Sequence, residues 1–273
     1  MNVAIEAVSF TYPGGAQALR QVSLDIPDGS WLALVGENGA GKTTLAKLIC
    51  GLLRPQQGRV RVGDWDTQEH SAARLARRVS YVFQNPDDQL FERTVQREVA
   101  FGPRNLGLST DEIEARVEGS LAELQLGGLR ESHPYELSPT QRKFVALAAA
   151  EAMRAPLLIL DEPTTGLDGP AVELLRQFLA RKRQQGRMVI AISHDMDFVA
   201  EQFARVVVMA QGQILADAQP AQVFDAPDLL AASHLDAPQL VRLAQRLGWP
   251  TRPLTVEAFV ETLAARRVQE GSP

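Results

Sequence analysis

The stretch LALVGENGAGKTTLAKL (32–48) constrains the fold of this chain more than any other segment. Its glycines and the Lys-Thr pair fit the pattern G-x-x-x-x-G-K-[ST], and the apolar run WLALV that leads into it predicts a strand. Glycines let a backbone wrap a polyphosphate so that N–H groups converge on it. The pattern therefore predicts a phosphate loop formed by Gly36, Glu37, Asn38, Gly39, Ala40, Gly41, Lys42, Thr43 and Thr44.

Within this loop, two side chains carry the predicted chemistry. Lys42 is predicted to reach the β- and γ-phosphates, and Thr43 to offer its hydroxyl to Mg²⁺. A second stretch, LLILDEP, supports the first because Asp161 ends an apolar strand, where a carboxylate holds the magnesium shell. The next residue, Glu162, is predicted to orient or deprotonate an attacking water. Together the two stretches predict a P-loop nucleotide hydrolase.

The remaining pattern predicts an α/β fold, because apolar strands alternate with helices. Strands are predicted at 3–10, 20–26, 31–35, 58–63, 79–84, 157–161 and 189–193, helices at 42–53, 92–100, 110–124 and 169–185, and a hairpin at 206–217 turning near Gln211-Gly212. We expect a P-loop core with an antiparallel β subdomain, a helical subdomain at about 85–155 and a small C-terminal extension. The ATP-binding domain would comprise residues 1–220, and residues 221–273 an appendage that offers a possible dimer contact.

Composition excludes several classes of protein. The chain has 273 residues and a net charge of −5, so nothing indicates a nucleic-acid partner. No uncharged apolar run approaches the ~20 residues of a bilayer span. The N-terminal segment carries Glu6 and lacks the pattern of a secretion signal, and the lone Cys50 lies in an apolar run. We therefore expect a soluble, cytoplasmic protein that is able to dock on a membrane protein.

Four further motifs narrow the class of hydrolase. Gln84 ends YVFQ, LSPTQ opens a helix, Asp168 ends TTGLD, and His194 follows the apolar strand VIAIS. With the motifs in this order, residues from about 3 to 217 resemble the ATP-binding cassette ATPases. The resemblance implies that Gln84 senses the γ-phosphate and magnesium and touches a transmembrane partner. It also implies that Asp168 crosses a dimer interface, that His194 contacts the γ-phosphate, and that Tyr12 stacks on adenine.

The helix start in ELSPTQRKF departs from the family. Ser138 and Gln141 form the pattern of a capping box, with Pro139 at the first helical position. The family usually has Leu-Ser-Gly-Gly-Gln here, which caps the γ-phosphate of ATP held by the opposite subunit. In this chain Pro139 and Thr140 replace the glycines, and Phe144 stands where the family usually has Arg. Proline lacks an N–H donor, so we expect a weakened signature and favour a heterodimer with a second ATPase over a homodimer.

The stretch FQNPDDQLFERTVQREVAFGPRNLGL (83–108) resembles the ATPases of energy-coupling factor importers, including the cobalt and nickel branch. The resemblance implies a transmembrane coupling protein, a small substrate-binding membrane protein, and a peripheral location at the cytoplasmic face of the membrane. It places the residues Asp87, Gln89, Leu90 and Phe91 beside the groove that receives the coupler. The alternative is that Leu90 and Phe91 are core residues of the helical subdomain.

The expected function is thus ATP hydrolysis that drives uptake of a vitamin or a transition-metal ion, with the cargo chosen by another chain. One alternative is a catalytically weak ATP-binding partner in a heterodimer, which the altered signature favours. A second is the ATPase of another transporter class. A nucleic-acid repair or translation ATPase is disfavoured, because the chain is acidic and has neither a long coiled-coil insert nor a second cassette.

Overall fold

The computed structural model describes residues 1–270. Its strands and helices follow in chain order, with short 3₁₀ turns at Pro86–Asp88, Gly127–Leu129 and Pro134–Glu136. The elements are β1 (Val3–Thr11), β2 (Gln17–Ile26), β3 (Trp31–Val35), α1 (Lys42–Ile49), β4 (Gln57–Val62), β5 (Trp65–Asp66), α2 (Ala72–Leu75), β6 (Val79–Val82), α3 (Val95–Asn105), α4 (Thr110–Glu123), α5 (Pro139–Ala152), β7 (Leu157–Asp161), α6 (Gly169–Gln184), β8 (Met188–Ile192), α7 (Met196–Gln202), β9 (Arg205–Ala210), β10 (Gln213–Ala218), α8 (Pro220–Phe224), α9 (Pro227–Ala232), α10 (Gln239–Arg246) and α11 (Val256–Glu270).

Two sheets organise these elements. A four-stranded antiparallel sheet has the order β2-β1-β4-β5, and a six-stranded sheet has the order β10-β9-β3-β8-β7-β6. In the larger sheet, β9, β3, β8, β7 and β6 are parallel, and β10 returns antiparallel along β9. The predicted α/β fold with an antiparallel β subdomain is confirmed.

The parallel strands are apolar because both of their faces are buried. Successive side chains of β3 enter two different core clusters: Leu32 and Leu34 pack with α1 and the antiparallel sheet, whereas Ala33 and Val35 pack with the helical layer. The strands β7 and β8 alternate in the same way. Charged side chains can therefore leave this sheet only where its strands end.

The parallel register brings the carboxyl ends of four strands to one edge. Val82 pairs with Leu160, and Ile192 pairs with both Leu34 and Asp161. Each predicted catalytic segment begins where one of these strands stops. Open α/β sheets bind ligands at this edge, so the topology collects the predicted site residues in one place.

Several predicted boundaries are wrong for local reasons. The helix predicted at 42–53 ends at Ile49, because Gly51 adopts a left-handed conformation with φ of 70°. The helix predicted at 92–100 spans Val95–Asn105, because the Thr94 side chain caps it by accepting the Arg97 N–H. The predicted strand at 79–84 stops at Val82, after which the Phe83 N–H bonds to the side chain of Gln89.

Other differences concern the start of one strand and three elements that the sequence pattern did not predict. Strand β2 begins at Gln17 rather than at residue 20, while the hairpin turn at Gln211-Gly212 is as predicted. The sequence pattern missed β5, α2 and α7, which have two, four and seven residues and are too short for periodicity to detect.

The segments assigned to subdomains are helical, as expected, but their boundaries stay predictions. Helices α3, α4 and α5 pack on one another and share a core cluster with one face of the large sheet. The C-terminal helices reach the same cluster through Val223, Phe224, Leu230 and Val241. The boundary after residue 220 falls inside α8, and the dimer contact of the appendage also stays a prediction. Within residues 1–270, no helix combines the length and apolar character that a bilayer span requires.

A buried ionic network joins helices at the edge of the sheet opposite to the predicted site. The Lys182 side chain of α6 is only 1% exposed, and its Nζ lies 2.9 Å from Glu123 Oε2 and 2.8 Å from Glu151 Oε1. Glu151 also pairs with Arg187 at the start of β8. Because α4, α5 and α6 each contribute a charge, the network fixes their relative positions.

We expect Lys182→Met to lower the free energy of unfolding by about 3 kcal/mol or more, because it leaves Glu123 and Glu151 buried with fewer countercharges. Chemical denaturation measures this change. Gln177→Met, at an exposed position of the same helix, is the matched control and should change stability by less than about 0.5 kcal/mol. Equal effects of the two substitutions would contradict the role of the network.

Candidate nucleotide site

The predicted phosphate loop depends on two close approaches of its backbone. Gly36 and Gly41 have φ of 142° and 103°, a region that side chains rarely allow. A Cβ at residue 36 would lie 1.9 Å from the Met209 carbonyl oxygen, and one at residue 41 would lie 2.5 Å from that of Ala18. Both positions therefore require glycine, and the loop packs directly on β9 and β2.

The Lys42 side chain folds back onto the backbone of the phosphate loop. Its Nζ donates to the carbonyl oxygens of Gly36 and Glu37, at 2.7 and 2.8 Å, and lies 3.5 Å from His194 Nε2. Burial lowers the pKa of the Lys42 ammonium, and the negative charges of Glu162 and Asp161 oppose that shift. The loop thus holds a desolvated cation whose closest partners are neutral carbonyls.

The Asp161 carboxylate forms the second part of the site. Its Oδ2 accepts from Thr43 Oγ1 at 3.0 Å and from Tyr81 Oη at 2.6 Å. Its Oδ1 is buried and has no hydrogen-bond partner among residues 1–266, whose side chains the structure describes. Burial and the charge of Asp161 raise the pKa of Tyr81, so the phenol stays protonated and donates. Asp161, Thr43 and Gln84 line the same cleft, and a carboxylate with one unpartnered oxygen, a hydroxyl and a side-chain amide oxygen are ligands of the kind that Mg²⁺ takes.

Glu162 is strained and buried. It adopts φ of 49°, which is rare for a residue with a side chain and is typical of functional sites. Its Oε2 accepts from the His194 backbone N–H at 3.3 Å, and its Oε1 lies 3.4 Å from His194 Nε2. Burial raises the pKa of Glu162, whereas burial and the charge of Lys42 lower the pKa of His194. The pair therefore combines a carboxylate of increased basicity with a neutral imidazole.

These groups surround one cleft of about 330 Å³. Tyr12 lies at its lip, where its hydroxyl and that of Thr44 are 3.1 Å apart. The predicted residues that line the cleft are Tyr12, Asn38, Gly39, Ala40, Gly41, Lys42, Thr43, Thr44, Gln84, Asp161, Glu162 and His194. The structure thus brings most of the predicted site together, although the role of each residue stays a prediction.

Five predicted residues do not line this cleft: Gly36 and Glu37, whose backbone carbonyls accept from Lys42, and Ser138, Gln141 and Asp168. Ser138 and Gln141 form the expected capping box: the Gln141 N–H donates to Ser138 Oγ at 3.2 Å, and Gln141 Oε1 accepts from the Ser138 N–H at 3.0 Å. Asp168 caps α6 by accepting the Ala171 N–H at 3.0 Å. Both helix starts lie on the surface, away from the phosphate loop of the same chain.

The residues after Gln141 on α5 separate into three environments. Arg142 lies 3.4 Å from Asp87, and Phe144 is buried in the core, so the position where the family usually has Arg is apolar here. Lys143 Nζ donates to the carbonyl oxygens of Glu162 and Thr165. Sequence reasoning did not assign Lys143, because its partners lie about twenty residues further along the chain.

The segment predicted to lie beside a coupler groove also contains side chains in different environments. Leu90 is 2% exposed and belongs to the core, as the alternative interpretation proposed. Phe91 is 60% exposed and packs edge to face on Phe101, with ring centroids 4.7 Å apart. Gln89 forms hydrogen bonds within the chain, to the Phe83 N–H and the Ala146 carbonyl, and its place beside a coupler groove stays a prediction.

A contact from the C-terminal appendage was also missed. His234 Nδ1 lies 3.0 Å from Oε2 of Glu37 in the phosphate loop. In addition, the Gln239 N–H donates to Asp197 Oδ1 at 2.8 Å, on the helix that follows His194. Nearly 200 residues separate the first pair, so no local pattern could have indicated the contact.

Comparison with known proteins gives a consistent family. Residues 19–165 match the family model described as ABC transporter. The cobalt import ATP-binding protein CbiO of Rhodobacter capsulatus is 43% identical over 245 residues, which cover 89% of this chain and 87% of that protein. The energy-coupling factor transporter ATP-binding protein EcfA of Methanothermobacter thermautotrophicus is 36% identical over 261 residues, or 95% of this chain and 84% of that protein.

Relatives differ in length, and a solved structure has the same fold. The chain is 41% identical over 269 residues to an ABC transporter ATP-binding protein of Methanosarcina acetivorans and spans 44% of that relative's length. The structure of cbiO1 from Clostridium perfringens, described as part of the ABC transporter complex cbiONQ, superposes with a TM-score of 0.74 at 31% identity. The match covers 90% of this chain and 98% of that one.

We expect Tyr81→Phe to weaken magnesium binding by about 10- to 100-fold, because it removes a donor that orients the Asp161 carboxylate. The measurement is the magnesium concentration that gives half-maximal ATP turnover at saturating ATP. Phe83→Leu, two residues further along the chain and without a hydroxyl to lose, is the control. An unchanged magnesium dependence in Tyr81→Phe would show that Asp161 needs no such support.

Proposed function

The chain belongs to the ABC transporter family of ATP-binding proteins, and on that premise we propose that it is the ATP-binding subunit of an importer of the energy-coupling factor type. Its substrate is ATP, and the energy of hydrolysis drives uptake of a vitamin or a transition-metal ion. The observation that carries this proposal is the convergence of Lys42, Asp161, Glu162 and His194 in one cleft. The similarity to cobalt and energy-coupling factor ATPases supports the class of importer.

The residues of the cleft have separate roles in hydrolysis. Lys42 leaves the neutral carbonyls of its loop for the β- and γ-phosphates, which attract the ammonium more strongly because they are charged. Thr43, Asp161 and Gln84 would hold Mg²⁺, which neutralises phosphate charge when bound. Glu162 accepts a proton from the attacking water. Neutral His194 contacts the Glu162 carboxylate and the γ-phosphate, and so fixes their positions relative to each other.

The test of hydrolysis is the rate of phosphate release from MgATP by the full-length chain, with its partner subunit present. Because Glu162 acts as the ionised base and burial raises its pKa, we expect kcat to fall on acidification at a higher pH than an ordinary glutamate would give. Lys42→Ala should abolish nucleotide binding by this chain measured alone. In the assembly, Glu162→Gln should keep nucleotide binding while lowering turnover by at least about 100-fold.

A matched control is Glu173→Gln, an exposed carboxylate on α6 outside the cleft. It should leave kcat and its pH dependence unchanged. Wild-type turnover by the Glu162→Gln assembly, or nucleotide binding that survives Lys42→Ala in this chain measured alone, would contradict the proposed function.

The position of the signature supports a second ATPase subunit as partner. Ser138, Gln141 and Asp168 lie outside the cleft of their own chain, so a ligand that meets both the phosphate loop and a signature needs two subunits. We favour a heterodimer, with a homodimer as the alternative. The loop, Glu162 and His194 of this chain form one site with the signature of the partner, and LSPTQ contributes to a slower second site.

The exposed aromatic pair Phe91–Phe101 supports a membrane partner. It lies on the helical segment that follows Gln84, and an exposed aromatic pair is typical of interaction surfaces. We assign it to the transmembrane coupling protein, whose own partner is a small substrate-binding membrane protein. The chain would then lie at the cytoplasmic face of the membrane as a peripheral subunit.

We expect this chain, purified from its native membranes, to retain a second ATPase and the two membrane proteins. In that complex, Lys42→Ala silences the site of this chain and leaves the site that uses LSPTQ. Replacing Pro139 and Thr140 by glycine in the Lys42→Ala background should then raise ATP turnover by about tenfold or more, because the backbone regains a donor and space at the phosphate.

The control for this experiment is Glu136→Ala, an exposed change two residues before Ser138, which should have no effect. If the Lys42→Ala complex already turns over as fast as the wild type, and the two glycines change nothing, the asymmetry is wrong. Purification with a different set of membrane proteins would point to another transporter class.

A further inference from the structure

One buried cation in the helical layer has no role in the scheme above. The Lys143 side chain on α5 is 8% exposed. Its Nζ donates to the carbonyl oxygens of Glu162 at 2.9 Å and Thr165 at 2.7 Å. It forms no salt bridge among residues 1–266, whose side chains the structure describes, and its hydrogen bonds go to these two backbone carbonyls.

Burying a lysine on neutral acceptors is costly. Desolvation lowers the pKa of Lys143, while the nearby negative charges of Glu162 and Asp161 oppose that shift. An apolar side chain would join α5 to β7 at lower cost, as neighbouring Phe144 does by packing in the core. The presence of lysine at residue 143 is thus explained by the two carbonyls that it contacts rather than by packing.

What Lys143 holds is the strained turn after β7. Glu162 has φ of 49°, its N–H donates to Ile192 of β8 at 2.9 Å, and its carbonyl accepts from Thr165 and from Lys143. A left-handed conformation at a glutamate persists only where its surroundings stabilise it. The same conformation directs the Glu162 carboxylate to His194.

Lys143 also connects this turn to the start of α5. It is two residues after Gln141 and five after Ser138, within the first turns of one continuous helix. A rigid first turn therefore carries any displacement of the capping box to the Glu162 carbonyl. The helix start that meets the nucleotide of the second subunit is mechanically joined to the base that acts on the nucleotide of this one.

We propose that Lys143 is a positioning residue for hydrolysis: it holds the Glu162 backbone so that the carboxylate faces the attacking water, and it links that alignment to the position of the signature helix. This inference rests on the proposed ATPase function. A base displaced by about 1 Å costs on the order of 100-fold in rate, while nucleotide binding through Lys42 is unaffected.

The test compares Lys143→Met, Lys143→Arg and Val145→Ala in the assembly in which the wild-type chain hydrolyses ATP. Val145 is a buried residue of the same helix that touches neither carbonyl, so its truncation controls for loss of stability. We expect Lys143→Met to lower kcat by about 10- to 100-fold with KM for MgATP within threefold of wild type. Lys143→Arg, which keeps a cationic donor, should recover part of kcat, and Val145→Ala should keep both constants.

Two results would overturn the inference: a kcat for Lys143→Met within twofold of wild type, or an equal loss of kcat in Val145→Ala at matched thermal stability. If Lys143→Met does not fold, Lys143→Gln replaces it under the same criteria, since its side chain is polar but one bond shorter and can no longer donate to both carbonyls. Failure of the ATPase proposal is distinct, because the wild-type assembly would then show no turnover that depends on Lys42.

Discussion

A parallel sheet that is buried on both faces can place charged side chains only where its strands end. In this protein β3 and β8 are apolar throughout, β7 is apolar up to its last residue, Asp161, and the register brings the carboxyl ends of the three strands to one edge. Asp161 is the last residue of β7, Glu162 and His194 follow the ends of β7 and β8, and Lys42 follows the loop after β3. Burial of both sheet faces thus forms the core. It also forms the site, because charged side chains of these strands occur only at the edge where the strands end.

Burial acts on the site charges in opposite directions. It lowers the pKa of Lys42 and His194 and raises the pKa of Glu162, so each group is held towards its neutral form. A bound polyphosphate supplies negative charge that favours ionised Lys42, and neutral His194 avoids a salt bridge that would quench the basicity of Glu162. The cleft is therefore electrostatically prepared for a ligand more negative than its own carboxylates.

The sequence predicts those parts of the structure that depend on local pattern. The phosphate loop follows from its glycines and the capping box from Ser138, whereas helix ends failed where a single residue decided them, as at Gly51. Side chains that reach the site from distant segments, such as Tyr81 and His234, have no local signature: one is a strand tyrosine, and the other lies in an appendage beyond the last motif. Their positions follow from tertiary packing, which the spacing of residues along the sequence does not reveal.

The start of α5 shows how one substitution divides two roles that the family combines. Ser138 and Gln141 satisfy each other, and Pro139 begins the helix at no cost because its missing N–H has no helical partner. In the proposed second site, the same missing N–H would weaken the grip on a phosphate. The helix keeps its stability and its connection through Lys143 to Glu162, so it still transmits position after losing part of its power to stabilise charge. This arrangement supports the proposed assembly, in which the subunit hydrolyses ATP on its own loop and receives a complete signature from its partner.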